Sequence, residues 1–471
     1  MRTFSIYTLG CKVNHYESAQ IRQFFEEIGL KSAKNGQKAD LCVINTCCVT
    51  ATASARSRQY IQRATRINPK AVKIVCGCLT AIQTNELRIP KDNTTHIISN
   101  RTQLPSKIKE LTGVTSSENL PLLRNFKEQT RAFLKIQDGC DGKCSYCIIP
   151  KVRPDVQSKP PEDVIFEAKN LIAAGHKEIV VTGVNLGLYG RQAVSSCERN
   201  TIYDIQYTQR KTAFSALLQR LAQVEGLKRL RVSSLEPGDI TGELLDVFCE
   251  HKNIMPHIHL SVQSGSDAVL RRMCRPYSAA ELREKIALIK SRLDRPALTC
   301  DIIVGFPGET DEDFEQTCEL AKWAGFSKIH VFPFSAREGT AAAKMKNKVP
   351  VKVIKKRAEI LRKLGDELGF KFREQFVGEE CEVLIEDEER MSGHCERYFI
   401  VKVQRTEDRG WRTDCGLRNA DCGFGSGERK TEDRRQKTEG IRKGEILKVK
   451  ITGNGNDGAE GEIFNEQKKG H

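Results

Sequence analysis

The stretch DGCDGKCSYC at residues 138–147 decides how the rest of the 471-residue chain is read. Its cysteines, Cys140, Cys144 and Cys147, carry the spacing C-x3-C-x2-C. Three thiolates in so short a loop can hold three irons of a cubane cluster and leave the fourth iron without a protein ligand, whereas an electron-transfer cluster usually takes four cysteines. An open metal position is where a substrate or cosubstrate binds. Gly139 and Gly142 let the backbone fold tightly enough to aim the sulfurs inward, and the apolar Ile148, Ile149 and Pro150 shield the site from water. Two plainer readings use fewer of these residues. Cys144 and Cys147 alone match half a zinc knuckle or a redox pair. Zinc would need a fourth ligand, and the next Cys or His downstream is His176, beyond a helical stretch, while a thioredoxin-type pair needs neither Cys140 nor the glycines.

A chain of this length holds roughly two to four domains with full cores. Its formal net charge of +15 favours a polyanionic partner, nucleic acid first, although a scattered basic surface that only aids solubility has the same sum. The first ten residues hold one Arg and no long apolar run, and no stretch approaches the length of a membrane span, so a cytosolic protein without a membrane partner is expected. Eighteen cysteines in that compartment read as metal ligands and buried thiols rather than disulfides. Cys11, Cys42, Cys47, Cys48, Cys76 and Cys78 lie in the first third, whereas Cys249, Cys300 and Cys318 sit in apolar patterns and read as core.

Residues 1–112 alternate strands at 4–9, 41–44 and 72–75 with an amphipathic helix at 16–28 and a basic helix at 53–67. Such alternation predicts a parallel sheet with helices on both faces, where working residues collect at strand ends. Cys11, Cys47 and Cys78 each follow such an end, so they converge on one sheet edge that could hold a second cluster; spacing alone fits three unrelated buried thiols as well. Residues 113–130 are polar and irregular and form a linker. From 131 to 350, strands at 132–136, 178–182, 230–233, 257–261, 298–304 and 328–332 recur in strand-loop-helix units, predicting a partial (β/α) barrel with its chemistry at the carboxyl ends of the strands. His257 and His259 read as packed or capping side chains, and the polar stretch 191–211 as a surface insertion.

A Lys- and Arg-rich helix at 351–376 leads into residues 377–471, where alternation at 381–385, 398–403 and 446–451 predicts a small β-barrel. Basic residues on one face of such a barrel grip RNA through its backbone; plain solvation gives the same face. Within it, residues 404–443 repeat Arg405-Thr406-Glu407-Asp408-Arg409 as Lys430-Thr431-Glu432-Asp433-Arg434 and hold too little apolar material to fold, so a disordered insertion is expected there. The fold class is α/β: an N-terminal parallel α/β domain, a partial barrel and a C-terminal β-barrel.

The loop at 138–147 looks like the signature of radical S-adenosylmethionine enzymes. The flanks TLGCKVNHYES, INTCCVTATAS and CGC look like the N-terminal domain of the methylthiotransferases among them. That resemblance implies two 4Fe-4S clusters. One is held by Cys140, Cys144 and Cys147, the other by Cys11, Cys47 and Cys78, with Cys48 and Cys76 as packing neighbours. It extends along the barrel: Thr182, Gly183 and Asn185 stand where the family binds the methionyl amino group of S-adenosylmethionine, and Ser233, Glu236, Gln263 and Gly305 where it lines the nucleoside pocket. Turn glycines and capping Ser or Gln residues would carry the same letters. The terminal segment resembles the TRAM domain of tRNA-modifying enzymes.

The implied chemistry is hydrogen abstraction by a 5'-deoxyadenosyl radical, with sulfur from the second cluster and methyl from a second S-adenosylmethionine. The implied partners are tRNA, at an anticodon loop whose adenosine turns out without breaking a duplex, and an electron donor such as flavodoxin or ferredoxin. Within the family the quoted flanks are closest to enzymes acting on N6-threonylcarbamoyladenosine. Enzymes acting on isopentenyladenosine or on a ribosomal-protein aspartate are alternatives, as is a non-catalytic iron-sulfur RNA-binding protein. One loop departs from the family: after Pro150 it continues with an aromatic residue, Arg-Gly and a Ser-Arg run, whereas residues 151–159 here read KVRPDVQSK, with only Arg153 clearly kept.

Overall fold

The computed structural model describes residues 2–33, 37–82, 94–113, 119–127, 129–191, 203–404 and 441–463. They divide into two compact units, Met1–Asp366 and Glu367–His471.

The first unit opens with five parallel strands, β1 (Thr3–Thr8), β2 (Lys31–Ser32), β3 (Leu41–Thr46), β4 (Val72–Gly77) and β5 (Thr95–Ile97), in the order β2-β1-β3-β4-β5. Every residue of β3 is buried, as a strand covered on both faces requires. On one face Phe4, Val43 and Ile74 pack with Ile21, Phe24 and Phe25 of helix Lys12–Glu27; on the other, Cys42, Ile44 and Val75 pack with Ile61 and Ala64 of helix Ala51–Ile67. The first helix begins at Lys12, earlier than the sequence pattern suggests, because Cys11 in extended backbone serves as its N-cap. Thr8 lies opposite Asn45 and Thr46 opposite Gly77. The ends of β1, β3 and β4 are therefore level and adjacent.

The barrel strands are β6 (Arg131–Asp138), the short antiparallel β7 (Gln157–Ser158), β8 (Glu178–Gly183), β9 (Arg229–Val232), β10 (His257–Gln263), β11 (Ala297–Val304) and β12 (Lys328–Pro333). β6, β8 and β9 run parallel, as do β10, β11 and β12, and parallel bridges from Leu230 to Ile254 and Leu235 to Leu260 join the two sets. Six parallel strands thus make the partial barrel.

Several expectations change. The 113–130 segment is not a free linker along its described part: Leu123 and Phe126 are buried, and Gln20 and Gln23 donate to the Pro121 and Leu122 carbonyls. Helix Tyr203–Ala222 takes up the second half of the supposed insertion at 191–211, and residues 192–202 lie outside the described residues. Cys300 and Cys318 are buried as expected, but Cys249 is exposed near the end of helix Gly242–Glu250.

The second unit is a closed barrel of β13 (Glu380–Asp387), β14 (Ser392–Cys395), β15 (Ile400–Gln404), β16 (Ile446–Gly455) and β17 (Gly458–Ile463). Val383, Ile385, Val401, Val449 and Ile451 fill it. The three alternating runs are β13, β15 and β16. β14 and β17 escape a period-two reading because of their glycines, of which Gly393 brings its Cα against the Leu384 carbonyl, where a Cβ would sit 1.7 Å from the oxygen. Of the disordered insertion expected at 404–443, residues 405–440 lie outside the described residues.

Candidate active site

The level strand ends gather Cys11, Cys47 and Cys78 around one amide. Asn14, one turn into the first helix, donates to the Leu9 carbonyl at 2.6 Å and the Thr46 carbonyl at 2.9 Å, and the Cys78 N–H donates to that same Thr46 oxygen at 3.0 Å. Ser57 brackets Cys47, accepting from its N–H at 3.0 Å and donating to its carbonyl at 2.9 Å. Gly10 has φ +104°, and a Cβ there would lie 2.7 Å from Cys47 Cβ and 2.8 Å from its sulfur. Gly10→Ala is accordingly expected to strain the turn and push Cys47 out of place, so that its buried thiol reacts faster with a thiol reagent while the far-UV circular dichroism is kept.

Cys47 and Cys78 are buried and Cys11 is exposed. Burial pushes the Cys47 thiol up to about 11. Cys78 is brought down because the Cys48 thiol, which donates to the Cys78 carbonyl at 3.4 Å, lies beside its sulfur and the Arg153 guanidinium stands next to it, and together these outweigh burial. The two extra cysteines part company here. Cys76 faces the core with Phe4 and Ile74, whereas Cys48 packs with Cys78, Leu79 and Ile148.

Ile148 belongs to the cluster loop, so the three cysteines of the sheet edge and the three of the barrel adjoin. The loop is pinned at its centre: Ser145 donates its N–H to the Met273 carbonyl at 3.0 Å and its hydroxyl to the Arg272 carbonyl at 2.8 Å. Gly139, at φ +76°, passes so close to Asp155 that a Cβ would lie 1.9 Å from its carbonyl oxygen. N–H groups point at the sulfurs, from Gly142 to Cys140 at 3.3 Å and from Arg275 Nη1 to Cys144 at 3.0 Å. Burial pushes Cys140 up and Cys147 up to about 12.

The structure places Thr182, Gly183 and Asn185 at the end of β8 beside this loop. The Asn185 side chain hydrogen-bonds Cys140, its N–H donates to Gln137 Oε1 at 2.8 Å, and Gly183 packs on Gln137. Ser233 follows β9. Glu236 is ion-paired with Arg275, which joins it to Cys144. Gln263 ends β10 in left-handed backbone, φ 63°, an unusual conformation for a non-glycine residue. Gly305 has the contacts of a turn instead: its N–H donates to the Glu309 carboxylate and its Cα packs on Ile354.

Arg275 carries no signal of spacing or pattern and was not legible from sequence. It donates to Cys144 and to the Tyr277 hydroxyl, and pairs with Glu236. Arg275→Leu is expected to destabilise the loop, because Cys144 loses a charged donor and Glu236 a partner worth ~1.5–3 kcal/mol; a urea melt reads the loss.

His176 is excluded as a zinc ligand: Nε2 accepts from the Phe126 N–H at 3.3 Å and Nδ1 lies 3.3 Å from the Thr130 carbonyl. His257 and His259 share the Thr299 hydroxyl, at 3.0 and 2.8 Å. His259 also meets Asp301 and His330, with one ligand atom of each within 4.8 Å of the others, a grouping that alternation on one strand does not reveal.

The altered loop at 151–159 is anchored at three points. Lys151 donates to the Gly339 carbonyl. Arg153 reaches Cys78, Asp138 and Glu17. Lys159 pairs with Glu167 and donates to the Tyr16 hydroxyl at 2.7 Å, and that hydroxyl donates to Glu167 at 2.5 Å.

Cysteines in a C-x3-C-x2-C loop, with N–H donors aimed at their sulfurs, at the carboxyl ends of a partial barrel's strands define an enzyme built around an open cubane cluster. Residues 134–321 match the model of the radical SAM superfamily and residues 3–99 that of the uncharacterized protein family UPF0004. The chain is 37% identical over 429 residues to the threonylcarbamoyladenosine tRNA methylthiotransferase MtaB of Bacillus subtilis, covering 87% of this chain and 92% of that one. It is 34% identical over 411 residues to the tRNA-2-methylthio-N(6)-dimethylallyladenosine synthase of Bacillus mycoides, covering 83% and 77%. Among solved structures, the radical S-adenosylmethionine methyltransferase TsrM of Kitasatospora setae aligns with a TM-score of 0.50 at 12% identity, covering 70% of this chain and 73% of that one, a likeness of fold.

The chain belongs to the radical S-adenosylmethionine methylthiotransferases. Membership implies an enzyme that transfers sulfur and methyl groups and uses S-adenosylmethionine with a 4Fe-4S cluster. Among the described residues no helix is long and apolar enough to cross a membrane.

Proposed function

We propose that the chain converts N6-threonylcarbamoyladenosine, beside the anticodon of tRNA, to its 2-methylthio derivative in the cytosol. The observation that carries this reading is the meeting of the two cysteine sets: Cys78 of one and Ile148, next to Cys147 of the other, share one apolar cluster, so the two sets adjoin. A relative 37% identical over 429 residues carries the name of that substrate, and the basic balance of the chain suits an RNA.

Cys140, Cys144 and Cys147 hold one 4Fe-4S cluster, and Cys11, Cys47 and Cys78 a second. Bound there, the two clusters supply the electron that cleaves S-adenosylmethionine and the sulfur that is transferred, with flavodoxin or ferredoxin as electron donor. The donor set fits, since N–H···S donation to Cys140, Cys144 and Cys78 favours thiolates over thiols. Thr182, Gly183 and Asn185 receive the methionyl end of S-adenosylmethionine beside Cys140. Ser233, Glu236 and Gln263 line its nucleoside, Arg275 holds Glu236 toward the loop, and Gly305 shapes the turn behind them. Ile148 and Leu79 keep water from the space between the two cysteine sets. The terminal barrel grips the tRNA backbone.

The test is a nucleoside digest of tRNA from cells lacking the chain, with and without it restored, read by mass. A methylthio group on threonylcarbamoyladenosine that depends on the chain is the expected result. The same group on dimethylallyladenosine would transfer the substrate to that of the Bacillus mycoides relative.

A further inference from the structure

We propose that Arg153 is the positioning residue that couples the two cysteine sets and raises the reduction potential of the cluster held by Cys11, Cys47 and Cys78. The inference rests on the two-cluster reading above. Its geometry is two-sided. The Arg153 carbonyl accepts the Cys140 N–H at 3.0 Å, and its Nε donates to the Cys78 sulfur at 3.3 Å. One residue therefore fixes a ligand of the barrel loop through its backbone and a ligand of the sheet edge through its side chain.

The aim of the guanidinium is set by carboxylates from two different elements. Glu17, fully buried on the first helix, takes Nη1 at 2.9 Å and Nη2 at 2.8 Å, while Asp138, at the end of β6, takes Nη1 at 2.7 and 2.9 Å. Nη2 also lies 3.3 Å from Asn14 Oδ1, the amide that ties the ends of β1 and β3. With both Nη groups held in one plane, the remaining Nε–H is directed at Cys78, a placement a lysine cannot reproduce. Glu17 is paired also with Arg101 and Lys135, and Lys135 also with Asp138, so three cations surround two carboxylates and the balance facing Cys78 is positive. An N–H···S bond and positive charge beside a cluster both favour its more negative, reduced form, which raises the potential. The cluster loop and the sheet edge are thereby held at one spacing by an arginine that the altered 151–159 loop retains.

The test uses the full chain, cluster-loaded and labelled with 15N-arginine, in a Cys144→Ala background that leaves only the sheet-edge cluster to give a signal. Iron per chain is measured first, then the 15N coupling of the reduced cluster by pulsed electron paramagnetic resonance, then its midpoint potential. The expected results are a resolved 15N coupling that Arg153→Met and Arg153→Lys both abolish, and a potential that moves negative in both, further in Arg153→Met. Should neither variant load, the labelled Cys144→Ala protein decides alone, since absence of coupling overturns the proposal. Unchanged coupling and potential in a loaded variant overturn the role of Arg153 and leave the two-cluster reading intact. A Cys144→Ala protein with no iron at the sheet edge overturns the two-cluster reading itself.

Discussion

Cys144→Ala and Cys47→Ala are both expected to remove the methylthio nucleoside from tRNA, but at different steps. Cys144 lies in the loop pinned by Ser145 to the end of helix Asp267–Arg272, and Arg275 donates to its sulfur. Its loss leaves two thiols for the barrel cluster, and 5'-deoxyadenosine formation should fall to background. Cys47 sits on the sheet edge, bracketed by Ser57 and pressed against Gly10, outside the C-x3-C-x2-C loop. Cys47→Ala should therefore still cleave S-adenosylmethionine with a chemical reductant, and yet yield no methylthio product. Two neighbours serve as controls. Cys76→Ala changes a thiol that faces the core with Phe4 and should keep product formation within about tenfold, the cost being packing of ~1 kcal/mol, whereas Cys48→Ala also takes a neighbour from Cys78 and should cost more. Liquid chromatography of 5'-deoxyadenosine, paired with the tRNA digest, separates the steps. A Cys47→Ala protein that still makes methylthio product would remove the sheet-edge triad from the reaction.

Much of this site is legible in the sequence. The C-x3-C-x2-C loop is local, so its spacing points to an open cluster, with half a zinc knuckle or a redox pair as the plainer readings. The edge triad needed one inference more, that strands at 4–9, 41–44 and 72–75 run parallel and adjacent; the order β1-β3-β4 with Thr8 opposite Asn45 bears out that sheet. The groups that join the two triads were hidden. Asn14 and Glu17 lie three apart on the first helix, which shows only that they share a face. Asp138 reads as the first letter of the loop motif, and Arg153 as the survivor of a divergent one. Their meeting brings the first helix to residues more than a hundred positions later, a tertiary contact for which no periodicity exists. Arg275 follows helix Asp267–Arg272 in an irregular turn and likewise leaves no pattern. The same holds in the terminal barrel, where β13, β15 and β16 alternate openly, but SGHC and GAEGEI hide two strands because glycine contributes to neither face.

Glu178→Ala is expected to have the largest effect on stability. Glu178 begins β8 opposite Arg229 of β9; its Oε2 lies 3.4 Å from Arg229 Nη1 and its Oε1 2.7 Å from Arg231 Nε. All three side chains are at most 2% exposed. Removing the carboxylate takes an ion-pair partner from two guanidinium groups inside the barrel wall, and breaking a buried pair from one side costs about 3–5 kcal/mol. Glu178→Gln keeps an acceptor and the volume but not the charge, and should lose about half as much. The exposed pair Arg220–Glu162, at 43% and 79% exposure, supplies the contrast: Glu162→Ala should cost less than about 1 kcal/mol, because water screens both groups. Urea melts of the three variants, followed through the transition of the Met1–Asp366 unit, measure the differences. The consequence for function runs along the strand. β8 begins at Glu178 and ends at Gly183, beside Thr182 and Asn185, so Glu178→Gln, folded at 25 °C, should bind S-adenosylmethionine with near-normal affinity, because the anchor and the binding loop occupy opposite ends of one element. Equal midpoints for Glu178→Ala and Glu162→Ala would show that the buried pair does not hold the wall, and that the packing of Leu230 and Val180 alone keeps β8 and β9 together.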